Sequence, residues 1–312
     1  MTDTKNTNPL LLFFILASFW GGSFVAIKFV VSEIPPLLGA ACRLGLALVI
    51  LTIIYKLFKK PLLVPKPYLK KIWITGLFMQ GFPFALLFWG ERFISPGLAG
   101  ILNGTVPLWT FLFSLFFLKH DEKFSTQKLC GIALGFLGIF IIFSPSISLG
   151  TQKQTLIGSL AVLIMAVSYG IGGVLNRLTL SGTQRLNRYG SLYQQHIASF
   201  FFLTLLSLIL EGVPDIQKLT QSWTTGVAIF YLSFFSNALA WMIYFYLIET
   251  WGAIRTSSVT YAAPVMALIT DFLFFKNTPK FPELSGAFMI FLGVILIQVS
   301  FKKKQIVTPP AP

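Results

Sequence analysis

The chain has 312 residues, of which 55% are hydrophobic and only 11% are charged, and it contains 33 phenylalanines. So few charged residues cannot cover the surface of a water-soluble protein of this size, which excludes a soluble globular fold. The formal net charge of +14 would suggest nucleic-acid binding in a soluble protein. Here the basic residues cluster between apolar segments, which favours a role in orienting the chain in a lipid bilayer, so no nucleic-acid partner is expected.

Apolar segments recur along the whole chain and are joined by short loops. Each segment is about 20 residues long, the length that crosses the hydrocarbon core as a helix. Helices satisfy all of their backbone polar groups internally, as lipid requires. The sequence therefore predicts an all-α membrane protein with ten transmembrane helices, at residues 10–31, 36–57, 70–90, 95–118, 126–144, 155–177, 190–210, 223–247, 253–275 and 281–300.

The distribution of basic residues predicts the orientation of these helices. If the N-terminus is cytoplasmic, most of the 24 Lys and Arg residues fall in loops on that side, including Lys56, Lys71 and the tail residues Lys302 to Lys304. Cytoplasmic loops carry an excess of positive charge. We therefore expect both termini in the cytoplasm and the protein in a bacterial cytoplasmic (inner) membrane, as a monomer or homodimer.

The two halves of the sequence repeat. Pro107 and Pro264 lie in register, and Trp20-Gly21 in the first half corresponds to Tyr169-Gly170 in the second. Each half has an odd number of spans, so the second half must be inverted relative to the first. The predicted repeats are residues 1–147 and 148–312, the latter with a short basic tail. Inverted repeats are expected to hold the substrate at their interface near the bilayer midplane.

Two prolines lie in the middle of predicted spans. Proline removes a backbone donor and clashes with the carbonyl four residues earlier. Pro107 and Pro264 therefore predict two broken helices. Paired helix breaks at mid-membrane indicate the binding site of a transporter.

Polar and aromatic side chains near these breaks are the candidate substrate-binding residues. Asn237, Trp241 and Tyr244 are spaced so that they share one helical face. A pocket of aromatic faces with a few amides and hydroxyls suits a small amphiphile, although each aromatic could instead pack in the bundle. The predicted substrate-binding residues are Trp20, Gln80, Asn103, Trp109, Tyr169, Asn237, Trp241, Tyr244, Thr260 and Tyr261.

Ionisable residues within the spans are candidates for coupling or gating. Asp271 is a carboxylate that we place inside a span, seven residues beyond Pro264, and Arg43 and Lys28 reach a similar depth. An ion pair of Asp271 with either residue would be a fixed closure of the outer side or a proton or ion switch. His196 would titrate near neutral pH or form a hydrogen bond within the bundle.

These features together resemble the drug/metabolite transporter superfamily, through the ten spans, Trp20-Gly21, Arg43 in the second span and the two mid-span prolines. The presence of Glu122 after the fourth span resembles the sequence pattern of the EamA-type branch of this superfamily. The resemblance implies a secondary transporter, often an exporter of amino acids and related metabolites, with a central cavity between its halves. The second half departs from the pattern, because Thr278-Pro279 lies where a matching acidic residue would be.

We therefore expect an exporter of a small organic metabolite that works by alternating access. One alternative is an importer or exchanger for nucleotide-sugar-type substrates in the same superfamily. Another is a polytopic membrane enzyme, which would need a nucleophile, a base or metal ligands at reacting distance. The two histidines and two cysteines form no such cluster in the sequence. No catalytic residue, metal or cofactor is therefore expected.

Overall fold

A computed structural model describes residues 8–117, 125–149, 153–180, 186–213, 222–251 and 259–298. These residues form helices and short connections, with no strand among them. Eight of the described helices are long and apolar enough to cross a membrane, and two further apolar helices are shorter. The all-helical membrane architecture predicted from the sequence is thus confirmed, whereas the crossing of all ten helices and the sides of the termini stay predictions.

The described helices coincide with the ten predicted apolar segments. In the first half they are α1 (Pro9–Glu33), α2 (Pro36–Leu57), α3 (Lys66–Gly90), α4 (Pro96–Phe117) and α5 (Thr126–Leu149). In the second half they are α6 (Lys153–Leu180), α7 (Arg188–Leu210), α8 (223–251), α9 (Val259–Phe275) and α10 (Phe281–Gln298).

Two of these helices begin at a capping side chain followed by proline. The Asn8 side chain accepts a hydrogen bond from the Leu10 amide, and the Ser95 side chain accepts one from the Leu98 amide. A proline directly after the cap has no amide hydrogen to satisfy and already has a helical φ angle. These signals fix the starts of α1 and α4.

The two mid-span prolines have different effects. α4 consists of Pro96–Asn103 and Val106–Phe117, separated by a turn, and Pro107 lies in the first turn of the second piece. α9 runs through Pro264 without interruption, which corrects the expectation of two broken helices. The described part of α9 begins at Val259. The backbone hydrogen bond that Pro264 cannot donate therefore lies in the first turns of that part, and its loss leaves the rest of the helix intact.

Two helices instead contain wider, π-helical turns. α3 has one at Leu77–Gly81 and α8 has one at Leu232–Leu239. In α3 the cause is Pro83, because it cannot donate to the carbonyl four residues before it. Such turns are frequent at functional sites. They hold Gln80 and Asn237, two of the predicted substrate-binding residues.

The helices of the two halves pack in a reciprocal pattern. α1 packs along α9, and its counterpart α6 packs along α4. α2 packs against α8 and α7, while α3 packs against α7. α5 packs most extensively against α10. Exchanging the two halves reproduces these pairings, and the inverted orientation of the second half remains a prediction.

Glycines bring α5 and α10 into close contact. A Cβ added at Gly138 would lie 2.5 Å from the Gly286 carbonyl, and one added at Gly293 would overlap the Gly131 carbonyl. Small residues allow membrane helices to approach through their backbones. The glycine-rich face of α5 therefore packs against α10 and does not line the site described below.

We predict that Gly138→Ala lowers the thermal stability of the purified protein, because the added methyl group meets a rigid backbone carbonyl. Overpacking of this kind typically costs about 1–3 kcal/mol. Gly226→Ala in α8 is the matched control, since a Cβ there has no atom within 4 Å. Equal melting temperatures for the two variants in detergent would contradict this account.

Candidate functional site

A cavity of about 280 Å³ lies between the two halves, lined by residues of α1, α2, α3, α4, α6, α8 and α9. Its position at the junction of seven helices gives it walls from both repeats. Most of the predicted substrate-binding residues meet there: Trp20, Gln80, Asn103, Tyr169, Asn237, Trp241, Tyr244 and Thr260 all line the cavity.

Two predicted residues are not among the lining. The Trp109 indole donates to the Thr105 hydroxyl at 3.2 Å and packs edge-on against Phe136, with ring centroids 5.4 Å apart. Its backbone also abuts Gly170 of α6. Trp109 thus packs within the bundle, which is the alternative to substrate binding that the sequence analysis left open for the aromatic residues. The Tyr261 side chain lies outside the described residues.

Arg43 is the only charged side chain among the described residues that line the cavity. Its Nη2 atom donates to the Ser236 hydroxyl at 3.1 Å and to the Asn237 carboxamide oxygen at 3.0 Å. The guanidinium carbon lies 4.1 Å from the centroid of the Phe84 ring. The residue is 4% exposed, and its Nε atom has no hydrogen-bond partner in the described part of the chain.

Two buried carboxamides in the cavity wall also have unused hydrogen-bonding groups. The Asn237 oxygen faces Arg43, which can only donate, so the Asn237 Nδ2 group is directed elsewhere and has no described partner. Neither polar atom of the Gln80 side chain has one. Buried polar groups are normally paired. Arg43, Gln80 and Asn237 therefore leave buried N–H donors unpaired in the cavity wall, and Gln80 also leaves its amide oxygen unpaired.

Three aromatic rings give another part of the cavity lining an apolar surface, in contrast to the polar groups around Arg43. The centroids of Trp20 and Trp241 are 5.9 Å apart, and the Tyr244 centroid lies 5.6 Å from Trp20 and 5.5 Å from Trp241. Trp20 comes from α1, whereas the other two come from α8. Mutual edge and tilted contacts hold the three rings in fixed positions. They provide a rigid apolar surface, referred to below as the aromatic wall.

The predicted coupling residues are distributed over different parts of the bundle. The buried Asp271 carboxylate accepts hydrogen bonds from the Gly97 amide and the Asn277 side chain, both at 2.9 Å. Neither predicted ion pair, with Arg43 or with Lys28, is present among the described contacts. The reason is that Asp271 caps the start of α4, while α8 binds the guanidinium of Arg43. A coupling role for Asp271 remains a prediction.

Lys28 caps the end of α3. Its ammonium donates to the carbonyls of Glu91 and Ile94, the latter at 2.9 Å. Cations are favourable at the C-terminus of a helix, where unpaired carbonyls point outward. Lys28 therefore links α1 to the connection between α3 and α4 while remaining close enough to Asp271 for electrostatic interaction.

His196 is fully buried in α7 and does not line the cavity. Its Nδ1 atom lies 2.9 Å from the Leu192 carbonyl in the same helix, which requires Nδ1 to carry the hydrogen. The Nε2 atom has no partner among the described residues. This contact is the hydrogen bond within the bundle, which is one of the two roles expected for His196 from the sequence.

Sequence reasoning missed Glu91, which directly follows α3. The residue is 0% exposed, and neither carboxylate oxygen has a hydrogen-bond partner in the described part of the chain. It stands beside Arg92, one residue beyond the predicted span at residues 70–90. The only signal was a carboxylate placed directly after Trp89-Gly90 with no polar spacer.

Comparisons with known proteins agree with this architecture. The EamA-like transporter family model matches residues 7–144 and 156–299, one match in each half. A protein of Salmonella typhimurium described as a probable amino-acid metabolite efflux pump is 26% identical over 289 residues, which cover 92% of this chain and 93% of that protein. A crystal structure of a protein with 18% sequence identity has a TM-score of 0.64 and covers 94% of this chain and 96% of its own.

An uncharacterized inner membrane transporter of Escherichia coli, YedA, is 28% identical over 306 residues, which cover 95% of this chain and 93% of that protein. Together with the membrane-crossing helices, this relative supports a multi-pass protein of the bacterial inner membrane. The family model covers most of the chain and both of its halves. The chain belongs to the EamA-like transporter family, within the drug/metabolite transporter superfamily, and is a transporter rather than an enzyme.

Proposed function

We propose that the protein is a secondary active transporter that exports a small organic carboxylate with an apolar or aromatic side chain, such as an amino acid or a related amphiphile. The observation that carries this proposal is Arg43, a buried cation with an unpaired donor in a cavity whose described lining residues include no acid. The name of the Salmonella relative, a probable amino-acid metabolite efflux pump, supports the substrate class and the direction.

Arg43 favours a carboxylate ligand for geometric and energetic reasons. The planar guanidinium matches two carboxylate oxygens and forms strong charge-assisted hydrogen bonds. A buried donor without a partner is costly. A carboxylate near Arg43 would offset that cost, and Gln80 and Asn237 would contribute further N–H donors from the two π-helical turns.

The aromatic wall suits the remainder of such a molecule. Trp20, Trp241 and Tyr244 offer ring faces to an apolar side chain. An ammonium group is also attracted to Trp and Tyr faces. A zwitterionic amino acid therefore fits, with its carboxylate near Arg43 and its other groups against the rings.

A single cation argues against multiply charged substrates. Nucleotide sugars and phosphorylated metabolites carry at least two negative charges, whereas Arg43 is the one charged residue among the described cavity lining. A second buried negative charge without a partner would be strongly unfavourable. The single charge therefore favours a monocarboxylate over the nucleotide-type substrates of the alternative hypothesis.

The position of the cavity between the repeats supports alternating access, in which one half rocks against the other around a central site. Both halves contribute polar groups, since Gln80 and Arg43 belong to the first and Asn237 to the second. Relative movement of the halves would then change access to the ligand without dismantling either half.

Three probes with the same side chain test this proposal in proteoliposomes: L-phenylalanine, N-acetyl-L-phenylalanine and L-phenylalaninamide. The first two retain the carboxylate and the third does not. We expect carrier-dependent movement of at least L-phenylalanine and none of the amide, after subtraction of protein-free liposomes. Movement of the amide alone would contradict the role of Arg43, and movement of none of a wider panel of amino acids would contradict the proposed function.

We predict that Arg43→Gln lowers the apparent affinity for L-phenylalanine by about tenfold to a hundredfold, because a charged hydrogen bond contributes about 1.5–3 kcal/mol. Arg43→Lys keeps the charge without the planar fork and should retain part of the affinity. Arg92→Gln, outside the cavity, is the matched control. A normal melting temperature for Arg43→Gln would separate loss of binding from misfolding, and unchanged affinity would refute the prediction.

We predict that Trp241→Leu reduces the preference for L-phenylalanine over L-alanine by about twofold to tenfold. Aromatic pairs contribute about 0.5–1.5 kcal/mol beyond the area that they bury. The measurement is competition by the two amino acids for uptake of labelled L-phenylalanine. Trp223→Leu serves as the control, since Trp223 is 85% exposed. An equal change in both variants would mean that the aromatic wall does not select the side chain.

A further inference from the structure

Glu91 is a buried carboxyl group without a hydrogen-bond donor. Both of its oxygens are inaccessible and unpaired within the described residues. An isolated carboxylate is costly in a medium of low polarity, so such a site accommodates the protonated form. Its place at the C-terminal end of α3 adds to this preference, because the carbonyls there already produce negative potential.

The surroundings of Glu91 contain charges but no direct partner. Lys28 of α1, Asp271 of α9 and Arg43 of α2 all interact with it electrostatically. The Lys28 ammonium donates to main-chain carbonyls rather than to the Glu91 carboxylate. On α6, the residues that face this end of α3 are Gly158, Ala161 and Val162, which do not titrate. Protonation of Glu91 is therefore sensitive to the three named charges.

Asp271, the nearby acid that the sequence analysis singled out, is in the opposite situation. Its two hydrogen bonds come from Gly97 and Asn277, one to each carboxylate oxygen. The bond to Gly97 also joins α9 of the second half to α4 of the first. Asp271 thus connects the halves through hydrogen bonds to both of its oxygens, whereas the Glu91 carboxyl group has no hydrogen-bond donor among the described residues.

We propose that Glu91 is a proton-binding site that controls the opening of this end of the bundle during transport, an inference that rests on the proposed function. Glu91 holds its proton while this end of the bundle is packed as seen here. Separation of the halves would break the contact between Asp271 and Gly97 and admit water. The O–H bond of the Glu91 carboxyl group then breaks, the proton passes to water, and the carboxylate must regain a proton before the end closes.

Arg43 connects this site to the cavity. The guanidinium lines the cavity and also interacts electrostatically with Glu91. A substrate carboxylate bound near Arg43 reduces the positive potential at Glu91, which favours retention of the proton. Binding of the substrate carboxylate near Arg43 and retention of the proton at Glu91 therefore favour each other, which links occupancy of the cavity to closure of this end.

Infrared spectroscopy of the purified protein in bilayers tests the protonation directly and requires no substrate. We expect a carboxylic-acid carbonyl band at neutral pH that Glu91→Gln removes. The band should persist in Glu33→Gln, which changes an exposed carboxylate at the end of α1, and in Asp271→Asn. Persistence of the band in Glu91→Gln, or its absence from the wild-type protein, would overturn the proposal.

The pH dependence of transport tests the control of opening, with L-phenylalanine as the probe and equal pH on both sides of the proteoliposomes. Because this end opens as Glu91 loses its proton, we expect the initial rate of L-phenylalanine movement to fall as the pH is lowered. Glu91→Gln cannot release a proton and should lose this pH dependence, whereas Glu33→Gln should keep it. A wild-type pH dependence in Glu91→Gln would refute the control of opening by Glu91. A wild-type protein that does not move phenylalanine would count against the proposed function, while the infrared result still decides the protonation.

Discussion

The guanidinium of Arg43 is buried in a membrane protein, where lipid supplies no partner for its donors. α8 provides two acceptors, Ser236 and Asn237, and Ser233 of the same helix donates to the Arg43 carbonyl at 2.9 Å. These bonds hold α2 against the π-helical turn of α8. They also orient the Asn237 amide so that its N–H donors remain unused. One buried cation thus organises the helix contact and leaves the donors that give the cavity its chemical character.

The π-helical turns occur at corresponding places in the two repeats, whereas the two prolines affect their helices differently. α3 and α8 occupy corresponding places in the two halves, and in each the wider turn carries a carboxamide to the cavity wall, Gln80 in one and Asn237 in the other. The prolines diverge, because Pro107 follows a break and Pro264 lies within a continuous helix. Wider turns alter side-chain direction without exposing many backbone groups, which suits a site within the bilayer.

The lengths of the apolar runs were sufficient to predict the helices, because the bilayer dictates how long a span must be. Helical spacing likewise placed Asn237, Trp241 and Tyr244 on one face, and they meet at the cavity. Spacing specifies depth along an axis but not which neighbour a side chain faces. For that reason the depth of Asp271 and Arg43 suggested a pair that the structure does not form. The burial of Glu91 depends on α1 and α9, which are distant in sequence.

The two acids near the end of α3 differ in the one respect that decides their chemistry. Asp271 accepts hydrogen bonds from the start of α4 and from Asn277, one at each carboxylate oxygen. Lys28 satisfies carbonyls and leaves the Glu91 carboxyl group without a donor. A movement that separates α9 from α4 would therefore remove a partner from Asp271 but would give Glu91 its first contact with water. The movement that opens this end therefore also hydrates Glu91, which links the opening to a change in the protonation of Glu91.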